Sequence, residues 1–141
     1  LACYKSNLIA AIGSVSGYML QSTSSVSESE CTPTHSIPLI KLHGTTDYYD
    51  GDGVYNSVES VINFWVNFNN TNTDPNTNNI DDNGTSITSY KYENGDNNVS
   101  VEHYKIIGGE HVWFNNDFNG KNTGQLIWDF VSKYDIDGLI E

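Results

Sequence analysis

Arginine is absent from this sequence and lysine is scarce. Six lysines stand against 18 acidic residues, for a formal net charge of -12. A field of that sign repels phosphate backbones, so no nucleic acid and no anionic membrane surface is expected as a partner. Solubility outside the cell is the plainer use of the acidity. Long apolar runs are also missing: the longest, residues 8–12 and 37–42, fall far short of a bilayer span. Neither an initiating methionine nor a signal peptide is visible. The chain opens on Leu1-Ala2-Cys3-Tyr4, which reads as the last turn of a helix, and the expectation is a segment cut from a longer precursor. Cysteine occurs twice, as Cys3 and Cys31. The pair reads either as one bridge made in an oxidising compartment or as two buried thiols.

What the chain does contain suits one folded domain. Its 141 residues are 37% hydrophobic and 12% aromatic, enough for a real core and too few for two. Residues 8–13 form a short apolar run ended by glycine, and 37–43 form another; both fit strands buried on two faces. The Ser- and Thr-rich stretch 21–36, with Pro33, reads as a loop. Val54, Val58, Val61, Ile62, Trp65 and Phe68 recur at spacings of three and four, which predicts a helix. Asn56 followed by Glu59 resembles a capping box, so the regular helix is expected to start near Ser57.

Residues 69–84 are a tract of Asn, Thr and Asp, expected as a surface loop. Residues 85–92 and 99–107 read as strands joined through Asn94-Gly95-Asp96, a plausible hairpin. An amphipathic helix is expected over 123–134, its stripe made of Leu126, Ile127, Phe130, Val131 and Tyr134. Apolar strands alternating with amphipathic helices point to a layered α/β fold, in which chemistry gathers at the carboxyl ends of strands.

Two strand ends carry chemistry-bearing residues. His43-Gly44-Thr45-Thr46-Asp47 closes the second strand, and a carboxylate held there can accept a histidine Nδ1 proton and fix its tautomer. Gly108-Gly109-Glu110-His111-Val112-Trp113-Phe114 follows a later strand, and its glycines bring out a histidine suited to general-base work. Alone, Asp47 reads as readily as a turn residue, and His111 as a loop residue. Together they give acid then base, each after a strand, the chain order of α/β-hydrolases.

These motifs, with Ser57-Val58-Glu59-Ser60-Val61-Ile62-Asn63-Phe64-Trp65 and Leu126-Ile127-Trp128-Asp129-Phe130, resemble successive blocks of the secreted polyhydroxybutyrate depolymerase and feruloyl esterase-like hydrolases. Ile9-Ala10-Ala11-Ile12-Gly13-Ser14-Val15-Ser16-Gly17 is similar to the strand after the nucleophile helix of that family. The resemblance covers nearly the whole chain, the Asn-rich tract being the main departure. It implies the C-terminal part of an α/β-hydrolase fold, with a mostly parallel sheet and flanking helices. Residues 1–141 would then be a single partial domain lacking the N-terminal strands and the nucleophile elbow. By the same resemblance Asp47 is the triad acid and His111 the base, and Trp113 lies beside the site against an acyl or aryl group.

The nucleophile itself is missing. No Gly-x-Ser-x-Gly elbow occurs in the chain, and Gly13-Ser14-Val15-Ser16-Gly17 imitates one with valine at its centre. The oxyanion hole is likewise expected upstream of Leu1. The implied activity is serine-type hydrolysis of a polyester or plant cell-wall ester, extracellular and without a cofactor, with this chain inactive alone. If the upstream strands are absent, residues 9–12 or their neighbour should form a bare sheet edge. The rival expectation is a non-catalytic secreted carbohydrate-binding module that stacks sugars on Trp113, Tyr48 and Tyr49. Metal readings are weaker. His35 and His103 lack partners at zinc-ligand spacing, and His43, just before the acid, reads equally as a buried strand-end residue or as part of the site. Asn79, Asp81, Asn83 and Gly84 start like an EF-hand loop whose twelfth position falls on Tyr90. Asp50 and Asp52 read as a solvated turn.

Overall fold

Two short apolar strands begin the architecture. In the computed structural model, which describes residues 1–20 and 30–140, β1 (Ile12–Val15) and β2 (Leu39–Gly44) pair in parallel. Pro38 has no N–H to give a ladder, so β2 starts one residue later and the Pro38 carbonyl accepts from Ile12 instead. The first strand was expected over 8–13. Leu8 instead ends a 3-10 turn, Ser6–Leu8, and lies 72% exposed. Part of the loop expected over 21–36 lies outside the described residues.

Helix α1 (Val58–Phe68) buries Val58, Val61, Ile62 and Trp65 of the predicted stripe, joined by Val66; Phe68 is half-buried, and Val54 lies before the helix and is exposed. Its cap is one residue later than the Asn56–Glu59 box implies: the Ser57 side chain accepts from the Ser60 amide. A second acceptor, Asp50 Oδ1, holds the Val58 amide at 2.8 Å. Residues 69–84 are not a loop throughout. They contain β3 (Asn76–Asp82), which pairs antiparallel with β4 (Thr85–Tyr92) across an Asn83-Gly84 turn. Both turn residues have positive φ, 51° and 90°, the conformation that Asn-Gly adopts most easily in a two-residue hairpin. Only Ile80 of β3 is buried, so the strand leaves no apolar alternation to read.

Strand β5 (Val101–Ile106) lies between β2 and β4, parallel to the first and antiparallel to the second. Helix α2 (Thr123–Val131) follows, capped by Asn122, and a small hairpin of β6 (Tyr134–Asp135) and β7 (Gly138–Leu139) closes the described chain. The five-stranded sheet runs β1-β2-β5-β4-β3.

This corrects the expected fold. Among the described residues there are seven strands in two sheets, and the larger sheet is mixed: two parallel pairs and two antiparallel pairs. Two helices of 11 and 9 residues are all that accompany it. A mostly parallel, helix-flanked hydrolase sheet needs a crossover helix between successive strands. Here β3, β4 and β5 succeed one another without an α-helix, because Asn83-Gly84 and the turn over 94–98, with its short 3-10 segment Asp96–Asn98, send the chain straight back. Among the described strands β1 lies at one edge of the sheet and β3 at the other, and the side chains of β1 are half-buried.

Alternation along β2 divides the core. Ile40 and Leu42 join Ile87, Ile106, Leu126 and Phe130 on one face. Leu39 joins Val101 and the α1 stripe on the other. Each fully buried side chain of this size contributes roughly 1.5–3 kcal/mol. Cys3 and Cys31 are bonded to each other at the margin of the α1 side.

Candidate active site

Because β2 and β5 are parallel neighbours, their carboxyl ends emerge side by side. Asp47 follows the first and His111 the second, so the topology brings together residues 64 positions apart. The two following segments are bonded to each other. Thr46 gives both its amide and its Oγ1 to the Gly109 carbonyl, each at 2.9 Å, and the Gly108 amide donates to Thr45 Oγ1. Phe114, buried just beyond, packs against Gly109 and anchors the base segment in the core.

His111 Nδ1 lies 2.9 Å from Asp47 Oδ2. The carboxylate side chain is 0% exposed and the imidazole 46% exposed, so the ring turns Nδ1 inward and its Nε2 side outward. Burial alone would push the Asp47 carboxyl up. Hydrogen bonds from the Tyr18 hydroxyl, the Tyr49 amide (3.2 Å) and His111 outweigh it and hold the group below its ordinary range. Asp47 is therefore an anion at neutral pH, and the proton of the 2.9 Å bond belongs to His111 Nδ1.

Two tyrosines flank the base. Tyr18 lies parallel to His111 at 6.0 Å between centroids, and Tyr49 meets it edge-on at 5.3 Å. Burial and the bond to Asp47 keep the Tyr18 phenol protonated well above its usual range. His43, at the end of β2, approaches Asp47 Oδ2 from the other side at 3.0 Å. Lys41, two residues earlier on the same face, is 2% exposed; it donates to the Gly17 carbonyl, and burial pushes it down to about 8.

The serines of the false elbow do not serve the base. Ser16, at a positive φ of 50°, gives its hydroxyl to the Val112 carbonyl at 2.8 Å, bracing the base segment from β1. Trp113 and Tyr48 are 58% and 73% exposed, while the rings that contact His111 are those of Tyr18 and Tyr49. His35 bonds the carbonyls of Ser36 and Ser6, and His103 is buried against Tyr90. Asp52 accepts the Val54 and Tyr55 amides of its own loop, and Asp50 the Val58 amide at the start of α1. Asp81 accepts from Gly84 within the hairpin. Among the described residues no cluster of three metal-ligating side chains forms.

Sequence reasoning found the pair, read His43 equally as a strand-end residue or as part of the site, placed Tyr49 only as a sugar platform, and missed Tyr18. The i, i+4 spacing of His43 and Asp47 was the available signal for placing His43 at the site. Tyr18 carries none, since it reaches the site only through the β1–β2 pairing. No protein-family model matches the chain, and no curated protein matches it significantly.

Proposed function

We propose that Asp47 and His111 are the acid and base of a serine-type carboxylic ester hydrolase, working with a nucleophilic serine that these 141 residues do not contain. The observation that supports this most is the 2.9 Å bond from a half-exposed imidazole to a fully buried carboxylate. That arrangement fixes the Nδ1–H tautomer and leaves Nε2 as the proton acceptor. The reading rests on this pair and not on the sheet, which is not that of the hydrolases the sequence resembles. His111 Nε2 takes the proton of the attacking hydroxyl, and Asp47 stabilises the imidazolium that forms. The same proton passes to the leaving alcohol, and water resolves the acyl-enzyme with the roles repeated. None of these steps needs a cofactor. The substrate class, by resemblance, is a polyester or a feruloyl or acetyl ester of plant cell-wall polysaccharide. An extracellular location goes with it, supported by the Cys3–Cys31 bond.

The test is hydrolysis of a small aryl ester. The 141-residue chain should show no rate above its His111→Ala variant. A longer gene product with a Gly-x-Ser-x-Gly elbow ahead of Leu1 should be active, and Asp47→Asn should cost it about 10⁴ in kcat. A coding sequence without an elbow, or an Asp47→Asn enzyme of unchanged rate, would overturn the proposal. The exposure of Tyr48 and Trp113 favours a second reading, a platform for polysaccharide. It requires binding that Trp113→Ala abolishes and Asp47→Asn leaves alone.

A further inference from the structure

One carboxylate oxygen faces two imidazoles. Asp47 Oδ2 lies 2.9 Å from His111 Nδ1 and 3.0 Å from His43 Nε2. The two rings differ in setting: His43 is 1% exposed on a central strand, whereas His111 stands half-exposed on a loop. Tyr18 binds the buried ring twice over, with its hydroxyl 2.8 Å from His43 Nε2 and its ring edge-on at 4.7 Å.

We propose that His43 is a positioning residue for the Asp47–His111 pair, a neutral imidazole that donates its Nε2–H to the Tyr18 hydroxyl, which in turn donates to Asp47 and so holds the carboxylate towards His111. The inference rests on the acid–base reading above and adds a residue to it.

The position of the proton follows from what surrounds the ring. His43 Nδ1 is buried with no hydrogen-bond partner among the described residues. A proton there would be an orphaned donor, costing about 1–3 kcal/mol, and would set the bare Nε2 lone pair against a carboxylate. The Nε2–H tautomer avoids both, since an unpartnered acceptor is the smaller loss. A second proton is opposed as well. Burial and the nearby Lys41 push His43 down to about 4, against the opposite pull of Asp47 and Asp50. The other titratable groups facing it are Tyr18 from the turn after β1 and Glu59, His103 and Lys105, which share a cavity of about 250 Å³ with His43. His103 Nε2, on the same side, likewise has no hydrogen-bond partner among the described residues.

The arrangement answers a mechanical need. Asp47 is otherwise held by loop groups, the Tyr49 amide, the Tyr18 hydroxyl and His111. His43 belongs to β2, locked between β1 and β5, so its bond to the Tyr18 hydroxyl ties the carboxylate to the rigid part of the molecule.

Long-range ¹⁵N spectra of the histidines test this on the 141-residue chain. In the unaltered protein His43 should carry its proton on Nε2 and show no titration between pH 5 and 8. A glutamine amide reaches the place of an imidazole Nε2, and an asparagine amide only that of Nδ1. His43→Gln should therefore keep His111 in its Nδ1–H form. His43→Asn should lower the ratio of Nδ1–H to Nε2–H at His111 about tenfold, a usual loss when an orienting partner is removed. A His43 that holds its proton on Nδ1, or that gains charge near pH 6.5, would overturn the inference even if neither variant folds. So would a folded His43→Asn protein with an unchanged His111. Asp47→Asn separates the two levels. If it shifts the His111 tautomer and His43→Asn does not, only the role of His43 fails; if Asp47→Asn shifts nothing, the acid–base reading fails with it.

Discussion

Gly44 and Gly109 are in backbone contact: a methyl group added to Gly44 would fall 2.1 Å from the Gly109 carbonyl oxygen. That carbonyl already accepts two bonds from Thr46, so it has no room to retreat. Gly44→Ala is expected to cost about 1–3 kcal/mol through overpacking. It should also drive the Asp47 and His111 segments apart. Urea unfolding gives the first quantity, and loss of the His111 Nδ1–H signal reports the second. A variant of native stability and unchanged spectrum would show that the contact is slack.

This contact also marks how far the sequence could be read. Glycines after both strands were legible as turns, and the order of acid and base was legible as a triad order. That β2 and β5 are adjacent and parallel was not, since register is written in pairings between distant residues rather than in local periodicity. The fold class failed for a related reason. The strand over 76–82 is polar on both sides apart from Ile80, so its Asn-rich sequence hid a sheet edge and the antiparallel half of the sheet with it. The residues around the pair were harder still: Tyr18 and Tyr49 look like any other tyrosine until the chain is folded.

Lys41 should be a liability. Its unfolded pKa is near 10.5 and burial brings the folded value down to about 8. Between those values the unfolded state holds more protons, so stability rises with pH across that window. Below pH 8 the buried charge weighs in full. Lys41→Met should therefore stabilise the protein at pH 7 by about 1–3 kcal/mol, and the gain should shrink above pH 10. Paired denaturant curves at the two pH values check this; a Lys41→Met protein less stable at pH 7 would contradict it.

Acid should weaken the fold through its buried histidines. Burial pushes both His43 and His103 down to about 4 from the ordinary imidazole value of 6.5. The unfolded chain then binds more protons than the folded one between pH 6.5 and 4. The stability is present above pH 6.5 and lost as pH falls through that window. His103→Leu should remove nearly one proton from the dependence, about 1.4 kcal/mol per pH unit. Stability measured at pH 7, 6, 5 and 4 for both proteins gives the two slopes, and equal slopes would refute the assignment to His103.

Reduction should loosen the margin of the α1 side. The Cys3–Cys31 bond spans a separation of 28 residues, a loop whose closure is worth about 3.5 kcal/mol. Cys31→Ser should lower the unfolding free energy by that amount while leaving Asp47 and His111 bonded. A loss of both together would tie the site to the disulfide more closely than its geometry does.

The state of His111 itself bears most directly on the acid–base pair. Long-range ¹⁵N spectra at pH 8 should show its proton on Nδ1 and a bare Nε2, and Asp47→Asn should move that proton to Nε2. A His111 protonated on Nε2 in the unaltered chain, or one whose tautomer ignores Asp47→Asn, would contradict the account.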